Sequence, residues 1–428
     1  MYKSGIEIPK VDFSMIDETA IAGGSYFVGF NLGNTNKLSK MDCNGVITVI
    51  EGAGNSIIQE DIGPGSAVRI DNCNSALSDY STISGGYGNT ASGTYSYYSL
   101  TLAHSVVAGG LFNCANGPIS TVSGGFCNSV SAIASTVSGG GFNTISGYGG
   151  SNGISSGFGN TISAEGSTIG GGNGNSVLGD SSTIAGGSSN SALYAGSFIG
   201  GGVGNTTDSY GATVSGGYCN YAGGACSTIS GGRCNVTTCC YGTASGGYCN
   251  YAGGFASTVS GGYLNCANSY HSTVSGGYLN RAMGSCSTVS GGYSSQALGC
   301  YSFIGGGFVN STSAAYSAIS GGYGNTSSGQ FSSVSGGYYN TAGACAAAVN
   351  GGECNVANGS CSAILGGYGN NACGFSKAMI VGSDICADRA CTTFVNTLSI
   401  KNLPTEADLP LPAGTVWKCT IENFLRIS

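Results

Sequence analysis

Apolar and small polar residues alternate in short bursts along most of this chain, and the bursts recur at a fixed interval. The clearest copies read STVSGGYLN, at Ser257–Asn265 and again at Ser272–Asn280. Taking the apolar residue before SGG as a marker gives Ile154, Ile169, Ile184, Ile199, Val214, Ile229, Ala244, Val259, Val274, Val289, Ile304, Ile319, Val334, Val349 and Ile364, with every step 15 residues. Val107, Val122 and Val137 keep the same step upstream, with a two-residue insertion before Ile154. Ile83 opens the clear series, separated from Val107 by nine extra residues in ASGTYSYYSLTLAHS, and degenerate copies trace back to Val68 and Val49. Within each unit the alternation Ser-x-Val-x-Gly, then Asn-x-Ala-x-Gly, has period two and predicts two short strands joined by turns of Gly, Tyr and Asn. A fixed short period holding two strands predicts an all-β fold, a parallel β-solenoid or β-roll in which each 15-residue coil stacks on the one before. At about 4.8 Å per coil, the 19 clear copies predict a rod on the order of 90 Å. Gly pairs in every unit make a helical repeat untenable.

Fixed sites within the unit carry distinct structural demands. The third residue after the marker is always Gly, the second is Gly except at Ser156, and the sixth is Asn except at Ser295. Asn220, Asn235, Asn250, Asn265 and Asn280 are therefore expected to form a column that passes amide hydrogen bonds from coil to coil. Asn is also expected to take the left-handed geometry of a tight corner. The Gly pair would permit positive φ and close approach of neighbouring backbones. Each coil offers about one sizeable aliphatic side chain against the entropy of ordering 15 residues, so burial between chains is expected to supply part of the stability.

Composition narrows the function classes. Of 428 residues, 80 are Gly, 6 are Pro, 12 are Lys or Arg and 19 are Asp or Glu. Collagen is excluded because Gly is not spaced every third residue and Pro is scarce. The net charge of −7 lacks the basic footprint of a nucleic-acid binder. No apolar run approaches the roughly 18–20 residues that span a bilayer, so no membrane insertion is expected. The start, MYKSGIEIPKVDF, has no apolar stretch of the kind that marks a secretory signal. Between Ile83 and Ile364 the only charged residues are Glu165, Asp180, Asp208, Arg233, Arg281 and Glu353. Charge concentrated outside the repeats predicts a cap or docking segment at 1–48, a solenoid shaft at 49–375 (clear from about 81) and a second cap or assembly segment at 376–428. Caps would cover the open strand edges of the end coils. YFVGF, VITVI, TTFVNTLSI and TVWKCTI are the strand candidates there.

Candidate chemistry is sparse. His104 and His271 stand far apart and the shaft holds six charges, which leaves no acid–base pair and no oriented nucleophile, so no enzyme is expected. No paired CxxC motif exists, so neither a metal nor a cofactor is expected. GGGNGN at Gly170–Asn175 imitates a phosphate loop, but it is one copy of the repeat with no helix following. Among 20 Cys, Cys219, Cys234 and Cys249 share one site in successive coils, close enough for a disulfide ladder, with stacked free thiols as the other reading. Tyr218, Tyr248, Tyr263, Tyr278, Tyr293, Tyr323, Tyr338 and Tyr368 share the site four residues after the marker, which Arg233 and Glu353 interrupt. The site is expected to face outward, as rings covering the corner of the coil or as a platform for sugars on a host or neighbouring cell. The hydroxyls flanking each marker, such as Thr258 and Ser260, offer a third reading, a flat ice-binding array.

Ser257, Val259, Gly261, Asn265 and Ala267, with their equivalents along roughly 80 to 375, resemble the head repeats of trimeric autotransporter adhesins and related phage and giant-virus fibre proteins. The resemblance implies a left-handed parallel β-roll, association of the chain with itself as a homotrimer, and a role in adhesion, with host or cell-surface glycans as partners. A heptad stalk and a membrane barrel are not expected here. The run LPTEADLPLPAGTVWKCTIENFLRIS is similar to closing segments of phage-type structural proteins. Together these readings predict a subunit of an extracellular or virion fibre, trimeric or joined head to tail into a filament.

Overall fold

The computed structural model describes residues 73–93, 104–147 and 149–397 in full, with Ser66 and the backbone of further short strands. The chain divides into two compact units, Met1–Leu264 and Asn265–Ser428. Each contains a parallel β-solenoid built from 15-residue coils, as the period predicts. In the first unit the marker strands run from Thr82–Ile83 to Thr258–Val259, and each two-residue strand pairs in parallel with its counterpart, Val122 opposite Val137 for example. A second parallel sheet holds the companion strands, Ser129–Val130 opposite Thr144–Ile145. The second unit repeats the plan, with Thr273–Val274 to Ala363–Ile364 in one sheet and Cys266–Ala267 to Val356–Ala357 in the other. Parallel pairing continues past residue 375: Ile364 lies opposite Ile380, and Ile380 opposite Phe394. Those two steps are longer and shorter than 15 by one residue.

Alternation fixes what is inside. Ser120, Val122, Asn128 and Val130 from one coil are all fully buried, while the strand residues preceding Val122 and Val130 are half-buried. The core is thus a narrow double column of mostly Val or Ile facing mostly Ala, with Val, Ile, Thr or Ser at the facing site in some coils, edged by buried Ser and Asn. β-Branched residues suit the marker because their restricted χ1 matches a pleated strand.

The backbone bonds can be followed around one coil. Thr121, Ser123, Phe126, Ser129 and Ser131 donate their N–H groups forward to the next coil at 2.8–3.0 Å, whereas Cys127 and Ala134 donate backward to the previous one. Both backward donors have left-handed backbones, with φ of 53° and 48°. A residue in this conformation flips its amide relative to its neighbours, so each corner ties the coil to its other side. These corners fall five and twelve residues after the marker, on Cys, Leu, Tyr, Ala and Ser as well as Gly. The expectation that Asn takes the left-handed corner is corrected: the residue before it does, leaving Asn to turn its amide inward.

The two glycines after the marker differ in kind. A Cβ on Gly217 (φ +96°) would stand 2.2 Å from the Gly232 carbonyl oxygen and 2.6 Å from Asn220 Nδ2. On Gly216 the nearest atom is the Gly201 oxygen, 4.0 Å away. Close stacking of coils demands the second glycine but not the first, which leaves room for Ser156, although the first glycines Gly231, Gly246 and Gly261 hold φ of +152° to +154° that favours glycine.

The insertion after Ile83 forms an antiparallel hairpin, Tyr95–Tyr97 with Leu100–Leu102. Ile16–Ile21, Gly24–Phe30, Leu38–Met41 and Ile47–Ile50 form an antiparallel meander, and Val416–Lys418 pairs with Leu425–Ile427. The side chains of these strands, and most of the charged residues assigned to caps, lie outside the described residues.

Candidate functional site

The site four residues after the marker lies on an outward corner where, within each unit, one parallel bridge joins a coil to the next. In the second unit the rings of Tyr278, Tyr293, Phe308, Tyr323 and Tyr338 stack with centroids 4.5–5.0 Å apart and planes within 19°. Glu353 and Tyr368 follow in the same column. In the first unit Tyr248 and Tyr263 stack at 4.9 Å. Arg233 continues that stack: its guanidinium carbon lies 5.1 Å from the Tyr218 ring centre and 5.6 Å from that of Tyr248, a cation held between two π faces. Sequence reasoning took Arg233 for an interruption, because only the geometry shows a planar cation replacing a ring. A hydrogen bond with Cys234 and the neighbouring Tyr248 raise the Arg233 pKa above its ordinary value.

Ring spacing close to the coil rise turns each face toward its neighbour, so the ridge shows solvent its edges and hydroxyls. Tyr278 keeps 37% of its surface exposed and Tyr338 44%. This follows from strand sterics: side chains at one register position in parallel strands must lie over one another, and aromatic rings do so at the least cost when coplanar.

Beneath the ridge runs the asparagine column. Asn220 Nδ2 donates to Gly216 O within its own coil (2.9 Å) and to Gly232 O in the next (3.0 Å), and Asn220 Oδ1 accepts from Asn235 N at 2.9 Å. Asn235 and Asn250 repeat the pattern in the first unit, and Asn280 in the second. Asn265 Oδ1 accepts from Asn280 N, and Asn265 Nδ2 donates to Gly277 O. Both amide hydrogens and the oxygen are engaged, so a buried polar side chain carries no desolvation penalty. At Ser295 the hydroxyl still accepts from Asn310 N at 3.3 Å but sends no bond to either glycine carbonyl.

Cys219, Cys234 and Cys249 sit at left-handed corners and carry free thiols. Burial raises the Cys249 pKa, with a hydrogen bond from Tyr248 acting in the opposite direction. The disulfide among the described residues is elsewhere: Cys373 is joined to Cys386, where the period slips. Its register breaks the repeat, so periodicity gave no sign of it. A second aromatic stack was also missed, Tyr301–Tyr316–Phe331 at the corner twelve residues after the marker, with rings 5.1 and 5.0 Å apart. Cys, Ala, His and Gly occupy the same corner in other coils and hide the column. A further pair, Tyr221 with the Asp208 carboxylate, joins adjacent coils by a short hydrogen bond that raises the tyrosine's pKa.

Among the described residues no three His, Cys, Asp or Glu side chains gather as a metal site, and no helix is long and apolar enough to cross a membrane. No protein-family model matches this chain, and no curated protein matches it.

Proposed function

We propose that this chain is a non-enzymatic structural protein, a self-assembling subunit of an extracellular or virion fibre, as homotrimer or head-to-tail filament. The observation that supports this reading is the repetition of one bonded coil in both units, with chemistry spent on stacking. Asn amides, the Ser hydroxyls that find partners, and corner amides bond to adjacent turns or coils, and the outer faces carry Thr, Ser, Gly and aromatic residues with few charges. Such a surface suits many identical weak contacts, which gain strength by multiplicity. Adhesion to host or cell-surface glycans would use the hydroxyl rim of the tyrosine ridge, because its ring faces are covered by one another.

Electron microscopy of the native protein, with light scattering for mass, tests the reading. Filaments or particles of several chain masses are expected, and a monodisperse 42.1 kDa species at all concentrations would overturn it. One observation favours a second reading: Thr213 and Ser215, Thr228 and Ser230, Thr243 and Ser245, and Thr258 and Ser260 align in four successive coils. Thermal hysteresis would identify that hydroxyl array as ice-binding, and its absence would remove the reading.

A further inference from the structure

We propose that the aromatic ridge is a docking surface for a second copy of this chain, with Arg233 of one copy seated against Glu353 of the other. This rests on the self-assembly reading and names its contact. The ridge is an exposed apolar stripe of stacked rings, a feature that marks association surfaces. It contains one charge in each unit: Arg233 between Tyr218 and Tyr248 in the first, Glu353 between Tyr338 and Tyr368 in the second. Both charged side chains are exposed. Each unit rises by one hydrogen-bonded coil per rung, so two ridges laid side by side keep step over several rungs.

With Arg233 opposite Glu353 and the strands running in opposite directions, Tyr248 meets Tyr338, Tyr263 meets Tyr323 and Tyr218 meets Tyr368. These four rungs match, ring with ring and cation with anion. The parallel alternative pairs Tyr218 with Tyr338 and Tyr248 with Tyr368 but sets Val203 against Tyr323, so the antiparallel contact, with one more ring pair, is favoured. Beside the ridge lie the glycines two residues after the marker, where Gly216, Gly291, Gly306, Gly321 and Gly336 have no atom closer than 4.0 Å to an added Cβ. Neither a close neighbour nor a positive φ requires these five to be bare, whereas Gly231, Gly246, Gly261, Gly351 and Gly366 hold φ of +152° to +154°; together they leave a flat shelf onto which the partner's ridge can settle. Each contact takes the first unit of one copy and the second unit of another, so it can be exchanged reciprocally between two copies or passed along a series.

Sedimentation of the full chain tests this with Arg233→Glu, Glu353→Arg and the double variant, each checked for native circular dichroism. Each single reversal is expected to weaken self-association on the order of ten- to a hundredfold, because a like-charge pair faces the partner. The double variant is expected to recover association, and so is an equimolar mixture of the two single variants. If the wild type associates but the single reversals match it, or the double variant stays as weak as they are, this contact is wrong and self-assembly uses another surface. If the wild type never associates, the self-assembly reading falls first.

Discussion

Removing one asparagine from the column should cost far more than a surface substitution, and the size can be worked out at Asn325. Its Nδ2 donates to Gly321 O and to Gly337 O, each at 3.0 Å, and its Oδ1 accepts from Asn340 N at 2.9 Å. Asn325→Ala deletes two bonds of about 1 kcal/mol each and leaves the buried Asn340 N–H without its acceptor, adding about 1–3 kcal/mol. The expected loss is about 3–5 kcal/mol, confined to that coil and its neighbours because a solenoid couples only adjacent repeats. The reverse change, Ser295→Asn, restores donors toward Gly291 O and Gly307 O and should stabilise by about 1 kcal/mol. Native-state hydrogen exchange read by mass spectrometry is the suitable assay, because a repeat array need not unfold in one step. In Asn325→Ala, peptides covering residues 320–345 should lose protection while those near 275–290 keep it. If the Ala variant exchanges like the wild type, or loses protection uniformly along the chain, the column is not the element that joins the coils.

Other outcomes follow from single atoms. Gly217→Ala should disrupt its coil, since the added carbon meets the Gly232 oxygen at 2.2 Å, whereas Gly216→Ala should leave the melting of the isolated chain unchanged or raise it slightly. Thr312→Val should stabilise by about 1 kcal/mol in denaturant titration, because the Thr312 hydroxyl is buried with no hydrogen-bond partner in the protein. Burial raises the thiol pKa of Cys114 and Cys266. A raised pKa means less thiolate, so both should be alkylated more slowly than exposed Cys300 near pH 8.5, about the ordinary thiol value, as read by peptide mapping.

The elements that obey the 15-residue register were readable from the chain. Val122, Asn128 and Gly125 repeat because stacking imposes the same neighbours on each coil, so their spacing is their structure. The corners were not readable, since left-handed backbones there carry Cys219, Leu264, Tyr316 and even β-branched Val309 in place of the expected Gly or Asn. Stacking bonds on both sides of the coil hold these residues in a conformation their own preferences disfavour. The nature of the ridge was half readable. Its outward site follows from Arg and Glu interrupting Tyr, but the coplanarity of the rings depends on the exact coil rise, which no residue type encodes. Cys373–Cys386 and the rungs at Ile380 and Phe394 lay beyond reach because the period is broken there.

The inward-facing asparagines have a consequence for biosynthesis. Asn205-Thr-Thr207, Asn235-Val-Thr237, Asn310-Ser-Thr312 and Asn325-Thr-Ser327 are all acceptor sequences for N-linked sugars. Yet the four asparagines are at most 1% exposed, and each Nδ2 already donates twice, once within its own coil and once to the next. A glycan attached during synthesis would occupy the bond that closes the coil, so modification and folding compete for the same nitrogen. Chains modified there before they fold would fail to close these coils, and a chain that has folded offers a glycosylating enzyme nothing at these sites.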